Sequence, residues 1–175
     1  VNTWIEYAKK QVGQDARIFI HGRCMGGVAT LLAAEQPDFS ENVAGIVIDS
    51  AYDNFEDPLL ALGKRRYKVN LSLILKWIKR CAKLRLGFDP DMCECATKAS
   101  QIKVPVLIFH GEKDHIVDPQ SSRKIYDNIR AQKRMVIVNN ADHLESYDKA
   151  PALYEKEVET FIEKCVIRLV NQGRM

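Results

Sequence analysis

No stretch of the chain stays apolar for the roughly 18–20 residues that a membrane-spanning helix needs, which argues against a helical span. Cysteine is sparse and odd in number: Cys24, Cys81, Cys93, Cys95 and Cys165. Their irregular spacing argues against a disulfide framework and points to a reducing, cytoplasmic compartment. Cys93-Glu94-Cys95 has no second Cys/His pair at ligand spacing, so neither a metal site nor a cofactor is expected. Internal repeats and low-complexity linkers are missing too. The opening Val1-Asn2-Thr3-Trp4 has neither the charged nor the apolar region of a signal peptide, and it has no initiator Met. A processed or cut chain is one reading of that start, and a restarted numbering is the other.

What is present is ordinary for a globular domain: 175 residues, 46% apolar and 28% charged. The net charge of +3 is unevenly spread. Residues 58–103 hold 11 Lys/Arg against 3 Asp/Glu, or +8, and the remainder holds 15 against 20, or −5. The basic character thus belongs to one segment. No recognised nucleic-acid motif accompanies it, so nucleic acid is not an expected partner.

The hydrophobic pattern predicts a helix over Asn2–Val12, stopped by Gly13, and then a short apolar strand, Ala16–Ile20. A helix follows over Met25–Gln36. Further strands are expected at Val43–Ile48, Val104–Phe109 and Arg134–Val138, and further helices at Pro119–Ala131 and Pro151–Leu169, each opened by a proline. Nearly all-apolar strands alternating with helices indicate an α/β fold with a mostly parallel sheet covered on both faces. Ligands of such sheets sit beyond the carboxyl ends of the strands. Polar residues just after those ends are the candidates.

After the first strand comes His21-Gly22-Arg23-Cys24-Met25-Gly26-Gly27, and then a helix. This is the strand–turn–helix pattern G-x-S-x-G of a nucleophile elbow, with Cys24 in the serine position. So tight a turn strains the nucleophile's backbone, and Gly22 and Gly26 are expected to remove side chains that would collide. Gly27 should let the helix lie close to its neighbour. The helix N-terminus beneath Cys24 favours thiolate, and the Met25 N–H becomes an oxyanion donor. After later strands come His110-Gly111-Glu112-Lys113-Asp114 and Asn139-Asn140-Ala141-Asp142-His143. Nucleophile, acid and base therefore run Cys24, Asp114, His143, each on a loop at a strand's carboxyl end.

Other polar residues have plainer roles. Asp49 also follows a strand and is the alternative acid. His21 and His110 precede turn glycines and are expected to make structural hydrogen bonds. His115 reads as an exposed loop residue, Asp118 as a helix N-cap and Asp142 as a loop-shaping residue.

On the Gly22-to-Gly27 elbow, the Gly111-to-Asp114 turn and the Ala141-Asp142-His143 loop, the chain resembles the α/β-hydrolase superfamily over nearly all of its length. Ile48-Asp49-Ser50-Ala51-Tyr52 is similar to serine-aminopeptidase-like and acyl-protein-thioesterase-like members. Cysteine at the elbow is similar to the dienelactone hydrolases. The resemblance implies an esterase, thioesterase or amidase working through a Cys-His-Asp triad on a small-molecule or acylated substrate. The rival reading is a catalytically silent binding or scaffold protein on the same fold.

By comparison with that family, several strands before the elbow strand are absent, along with the loop that supplies a second oxyanion donor. The Ala16–Ile20 strand would then be an exposed apolar edge. A fragment is expected, or a chain completed by another polypeptide such as its own copy. The division expected is a core of 1–57 and 104–175, with a helical basic cap insert over 58–103. Within the insert, Val69–Leu84 reads as a helix bearing Lys76, Lys79, Arg80 and Lys83 in one stripe. That stripe reads either as a contact for an anionic or membrane surface or as a solvated face.

Overall fold

The computed structural model describes residues 1–87, 89–92 and 94–173. Cys93, half of the Cys93-Glu94-Cys95 pair, lies outside them. The elements run α1 (Asn2–Val12), β1 (Ile18–Arg23), α2 (Met25–Ala34), β2 (Val43–Asp49), α3 (Glu56–Tyr67), α4 (Leu75–Leu86), α5 (Cys95–Lys98), β3 (Val106–Gly111), α6 (Pro119–Asn128), β4 (Lys133–Val138), α7 (Ser146–Lys149) and α8 (Pro151–Asn171). Three 3₁₀ turns lie at Leu71–Leu73, Pro90–Met92 and Ala99–Gln101.

The four strands form one parallel sheet in the order β1-β2-β3-β4. All seven residues of β2 and all six of β3 are buried. That follows from parallel pairing, whose helical crossovers cover both faces. Side chains alternate strictly between those faces. Ile46, Ile48, Val106 and Ile108 pack with Val28 and Leu31 of α2 and Ile125 of α6. Val47, Leu107 and Phe109 pack on the other face with Tyr154, Phe161 and Cys165 of α8. Each fully buried side chain of this size contributes about 1.5–3 kcal/mol. The strand β1 is an edge of the sheet, and Ile18, Phe19 and Ile20 are only half-buried.

The segment between β2 and β3 differs from expectation in three ways. The predicted Val69–Leu84 helix is broken: Asn70 accepts a hydrogen bond from the Ser72 N–H at 3.0 Å and caps a 3₁₀ turn, and α4 starts only at Leu75. A further helix, α3, precedes it. The last part of the segment belongs to the core, because Cys95, Ala96, Ala99 and Ile102 are buried beside α2 and α6. Only the stretch from α3 to the turn after α4 stands out from the sheet.

Candidate active site

Cys24 sits between β1 and α2 with φ 47° and ψ −115°, a conformation that costs a non-glycine residue about 1–3 kcal/mol. Its N–H donates to Asp49 O of β2 at 2.8 Å, which continues the parallel ladder into the turn and anchors it. A Cβ on Gly22 would come within 2.7 Å of Gly26 O and 2.8 Å of Gly27 Cα, so only glycine fits there. A Cβ on Gly27 would meet Ile48 and Ala51 at 3.0 and 3.2 Å, the close approach of α2 to the sheet expected from the sequence. Gly26 departs from expectation: a Cβ there meets nothing within 4 Å, so its absent side chain relieves no collision. Met25 opens α2, where main-chain N–H groups have no partner within the helix.

The loops after β3 and β4 interlock. A Cβ on Gly111 would lie 2.5 Å from Ala141 O and 2.7 Å from Asp142 O, so the glycine lets the His143 loop lie on the Asp114 turn. Lys113 N–H donates to Ala141 O at 2.9 Å, and Glu112 N–H to Val138 O at 2.9 Å. These bonds bring His143 Nδ1 to 2.8 Å from Asp114 Oδ2. Cys24 lies close enough to the same imidazole to raise its pKa. Three residues separated by up to 119 positions in the chain thus meet at one rim of the sheet.

Electrostatics follow from that meeting. Burial pushes the Asp114 pKa up, but hydrogen bonds from His110, His143 and the Val117 and Ile116 N–H groups outweigh it. The carboxylate is held well below its usual range. The two N–H bonds to Oδ1 measure 2.8 and 2.9 Å. For His143, burial lowers the pKa, but the hydrogen bond to Asp114 and then nearby Cys24 raise it to about 9.

The remaining sequence candidates fall into structural places. His110 is fully buried, with Nδ1 2.6 Å from Ser122 Oγ, and Nε2 3.0 Å from Val117 O and 3.3 Å from Asp114 Oδ2. It buttresses the acid from behind. His21 Nε2 lies 2.9 Å from the Tyr154 hydroxyl. Asp118 caps α6 by accepting from Gln120 N–H at 2.8 Å. Asp49 is buried and accepts from Ser146 Oγ at 2.8 Å, while His143 Nδ1 is already bound to Asp114.

Asp142 does shape its loop, and it does more. It accepts from His143 N–H at 2.7 Å, from His115 N–H at 3.1 Å and from Arg65 of α3 at 2.9 Å, and Arg65 brings its pKa down to about 2. This clasp joins the projecting helix to the histidine loop. Nothing in the local sequence around Arg65 signals it. A cavity of about 780 Å³ opens beside the clasp, lined by Leu60, Lys64, Arg65, Lys68 and His115 among others. Among the described residues, no group of three or more His, Cys, Asp or Glu side chains is placed to hold a metal ion. No helix among them is long and apolar enough to cross a membrane.

A family model described as serine aminopeptidase, S33, matches residues 90–149. The chain is 26% identical over 163 residues to the uncharacterized protein YqkD of Bacillus subtilis, covering 93% of this chain and 53% of that one. It is 30% identical over 162 residues to a thermostable monoacylglycerol lipase of Bacillus sp. strain H-257, covering 82% and 62%. It therefore spans about half to three-fifths of the length of these relatives. Among solved structures, a Pyrococcus furiosus esterase superposes with a TM-score of 0.69 at 16% identity, covering 93% of this chain and 59% of that one. A Paleococcus ferrophilus monoacylglycerol lipase superposes at 0.56 and 21%, covering 90% and 73%. With its four parallel strands and the turn at Cys24, the chain has an α/β-hydrolase fold like that of these structures.

Proposed function

We propose that the chain is the nucleophile-bearing part of a hydrolase that cleaves carboxylic ester or thioester bonds through Cys24, His143 and Asp114. The observation that carries this reading is the single imidazole shared between a buried carboxylate and the thiol at a strained turn. With Nδ1 committed to Asp114, Nε2 is the nitrogen left to exchange a proton with the thiol. The His143 imidazolium, charged below about pH 9, holds the proton given up by Cys24, and the sulfur attacks the acyl carbon as thiolate. The tetrahedral oxyanion forms near the Met25 N–H at the head of α2. Collapse breaks the bond to the leaving alcohol or thiol, which takes the proton from His143. Water then attacks the thioacyl enzyme, giving its proton to His143, and the acid is released with Cys24 restored. An ester substrate is favoured over a thioester because the named relatives and structural neighbours include monoacylglycerol lipases and an esterase.

The test is acylation by a p-nitrophenyl ester, read by mass spectrometry of the Cys24 peptide. The wild type should gain the acyl mass at Cys24 and the Cys24→Ala variant should not. Equal labelling of both would remove Cys24 as nucleophile. No labelling and no turnover across a broad panel of esters would favour the silent binding protein instead.

A further inference from the structure

The outer face of α4 is unusual for a water-soluble surface. Leu73, on the turn before the helix, is 89% exposed, Leu84 is 74% and Trp77 is 67%. Trp77 and Leu84 stand seven residues apart on one face of α4, and Leu73 is exposed on the turn that leads into it. Lys76, Arg80 and Lys83 flank that face and are also exposed.

The structure changes which cations of this stripe are free. Lys79 is half-buried and bonded to Glu56 and Asp91, so it fastens α4 to α3. Lys83 is 2.6 Å from Asp89. Among the described residues no carboxylate pairs with Lys76 or Arg80. The free charge of the face is therefore two cations set against a Trp and two Leu.

We propose that this face docks the protein onto an anionic lipid surface. Trp77, Leu73 and Leu84 enter the boundary between headgroups and acyl chains, and Lys76 and Arg80 meet the lipid charges. An apolar face edged by cations suits that boundary, where an aromatic ring of mixed polarity is favoured and each nearby cation adds attraction. A second copy is a poorer occupant. Two-fold pairing through this face would gather two copies each of Lys76 and Arg80 in one interface, where the face itself offers, among the described residues, no free carboxylate to pair them. The same projecting segment holds Arg65 of α3, clasped to Asp142 beside His143. Docking through this segment would hold a lipid-dissolved ester near the helices tied to the site. That benefit rests on the proposed esterase reading, but the docking itself requires no catalysis.

Trp4 and Trp77 are the only tryptophans, so a Trp4→Phe background leaves Trp77 as sole reporter. With vesicles of phosphatidylcholine and phosphatidylglycerol at low salt, its emission should shift to the blue and the protein should co-float. Added salt should reverse both, and phosphatidylcholine alone should give little of either. The pair Lys76→Ala/Arg80→Ala should weaken binding about thirtyfold. Trp77→Ser/Leu84→Ser should abolish co-flotation with an unchanged circular dichroism spectrum. Absence of any blue shift, or binding indifferent to both pairs, would overturn the proposal. So would self-association abolished by Trp77→Ser/Leu84→Ser in a protein that ignores vesicles, which would give the face to a second copy. Cys24→Ala should float like the wild type, so a failed hydrolase reading and a failed docking reading leave different marks.

Discussion

The rim of the sheet and the helices projecting above it are built on opposite principles. At the rim, β2 and β3 are wholly buried, Asp114 is boxed by two histidines and two N–H groups, and Gly111 leaves no space for a methyl group. Between Glu56 and Glu94, by contrast, Gly63 and Pro90 are the only buried positions among the described residues. That region is fastened largely by charge, through Arg65–Asp142, Lys79–Glu56, Lys79–Asp91 and Lys83–Asp89. Close packing fixes a geometry to fractions of an ångström, whereas exposed ion pairs are weak and sensitive to salt. The proposed chemistry sits on the first kind of structure and the proposed lipid-facing surface on the second.

The sharpest way to break this contrast is at the rim. Cys24→Ala should lower ester turnover about 10³-fold or more in steady-state assays, and Asp114→Asn should be similarly severe because the imidazole loses its orienting carboxylate. Neither should affect vesicle binding. Gly111→Ala comes next. Its Cβ would overlap two main-chain oxygens, so it should destabilise by about 1–3 kcal/mol in urea unfolding and displace the His143 loop.

A pH scan of stability sharpens the comparison further. The His143 pKa rises on folding from 6.5 to about 9, so the folded state binds an extra proton between those values. Its stabilisation is complete below pH 6.5 and is lost as the pH rises through about 9. Asp114→Asn should remove that fall. Glu35, buried with no hydrogen-bond partner for either carboxylate oxygen, has its pKa raised by burial to about 7 despite nearby Lys98. It should give a separate fall between about pH 4.5 and 7, unaffected by Asp114→Asn. The smallest effect belongs to the projecting helices. Arg65→Ala should leave the thermal midpoint nearly unchanged while raising KM more than it lowers kcat, since it frees the helix beside the cavity but leaves the histidine–carboxylate bond in place.

The same division decides what the sequence could reveal. The apolar runs around Ile46 and Leu107 identified a buried parallel sheet, because alternation and burial are properties of a few adjacent residues. The elbow pattern singled out Cys24, and chain order, with the loops after two later strands, singled out Asp114 and His143 as its expected partners. In the projecting region local pattern misled. Val69 to Leu84 looked like one helix until Asn70 capped a separate turn, and α3 was hidden among its basic residues. The stripe of four cations lost Lys79 to Glu56 and Asp91, and Lys83 to Asp89, all carboxylates off the stripe. Arg65–Asp142 and His110–Asp114–Ser122 were equally illegible as networks, because each is a tertiary contact with no periodic signature. Gly26 shows the converse: its place in the motif suggested a steric need that the open space around it does not bear out.

The central claim is that thiol, imidazole and carboxylate form one connected unit at the rim. Nuclear magnetic resonance titration of the His143 ring tests it most directly, in wild type, Cys24→Ala and Asp114→Asn. A midpoint near 9 in the wild type that falls in each variant, further for Asp114→Asn, is the expected result. A midpoint near 6.5 that neither substitution moves would contradict the account.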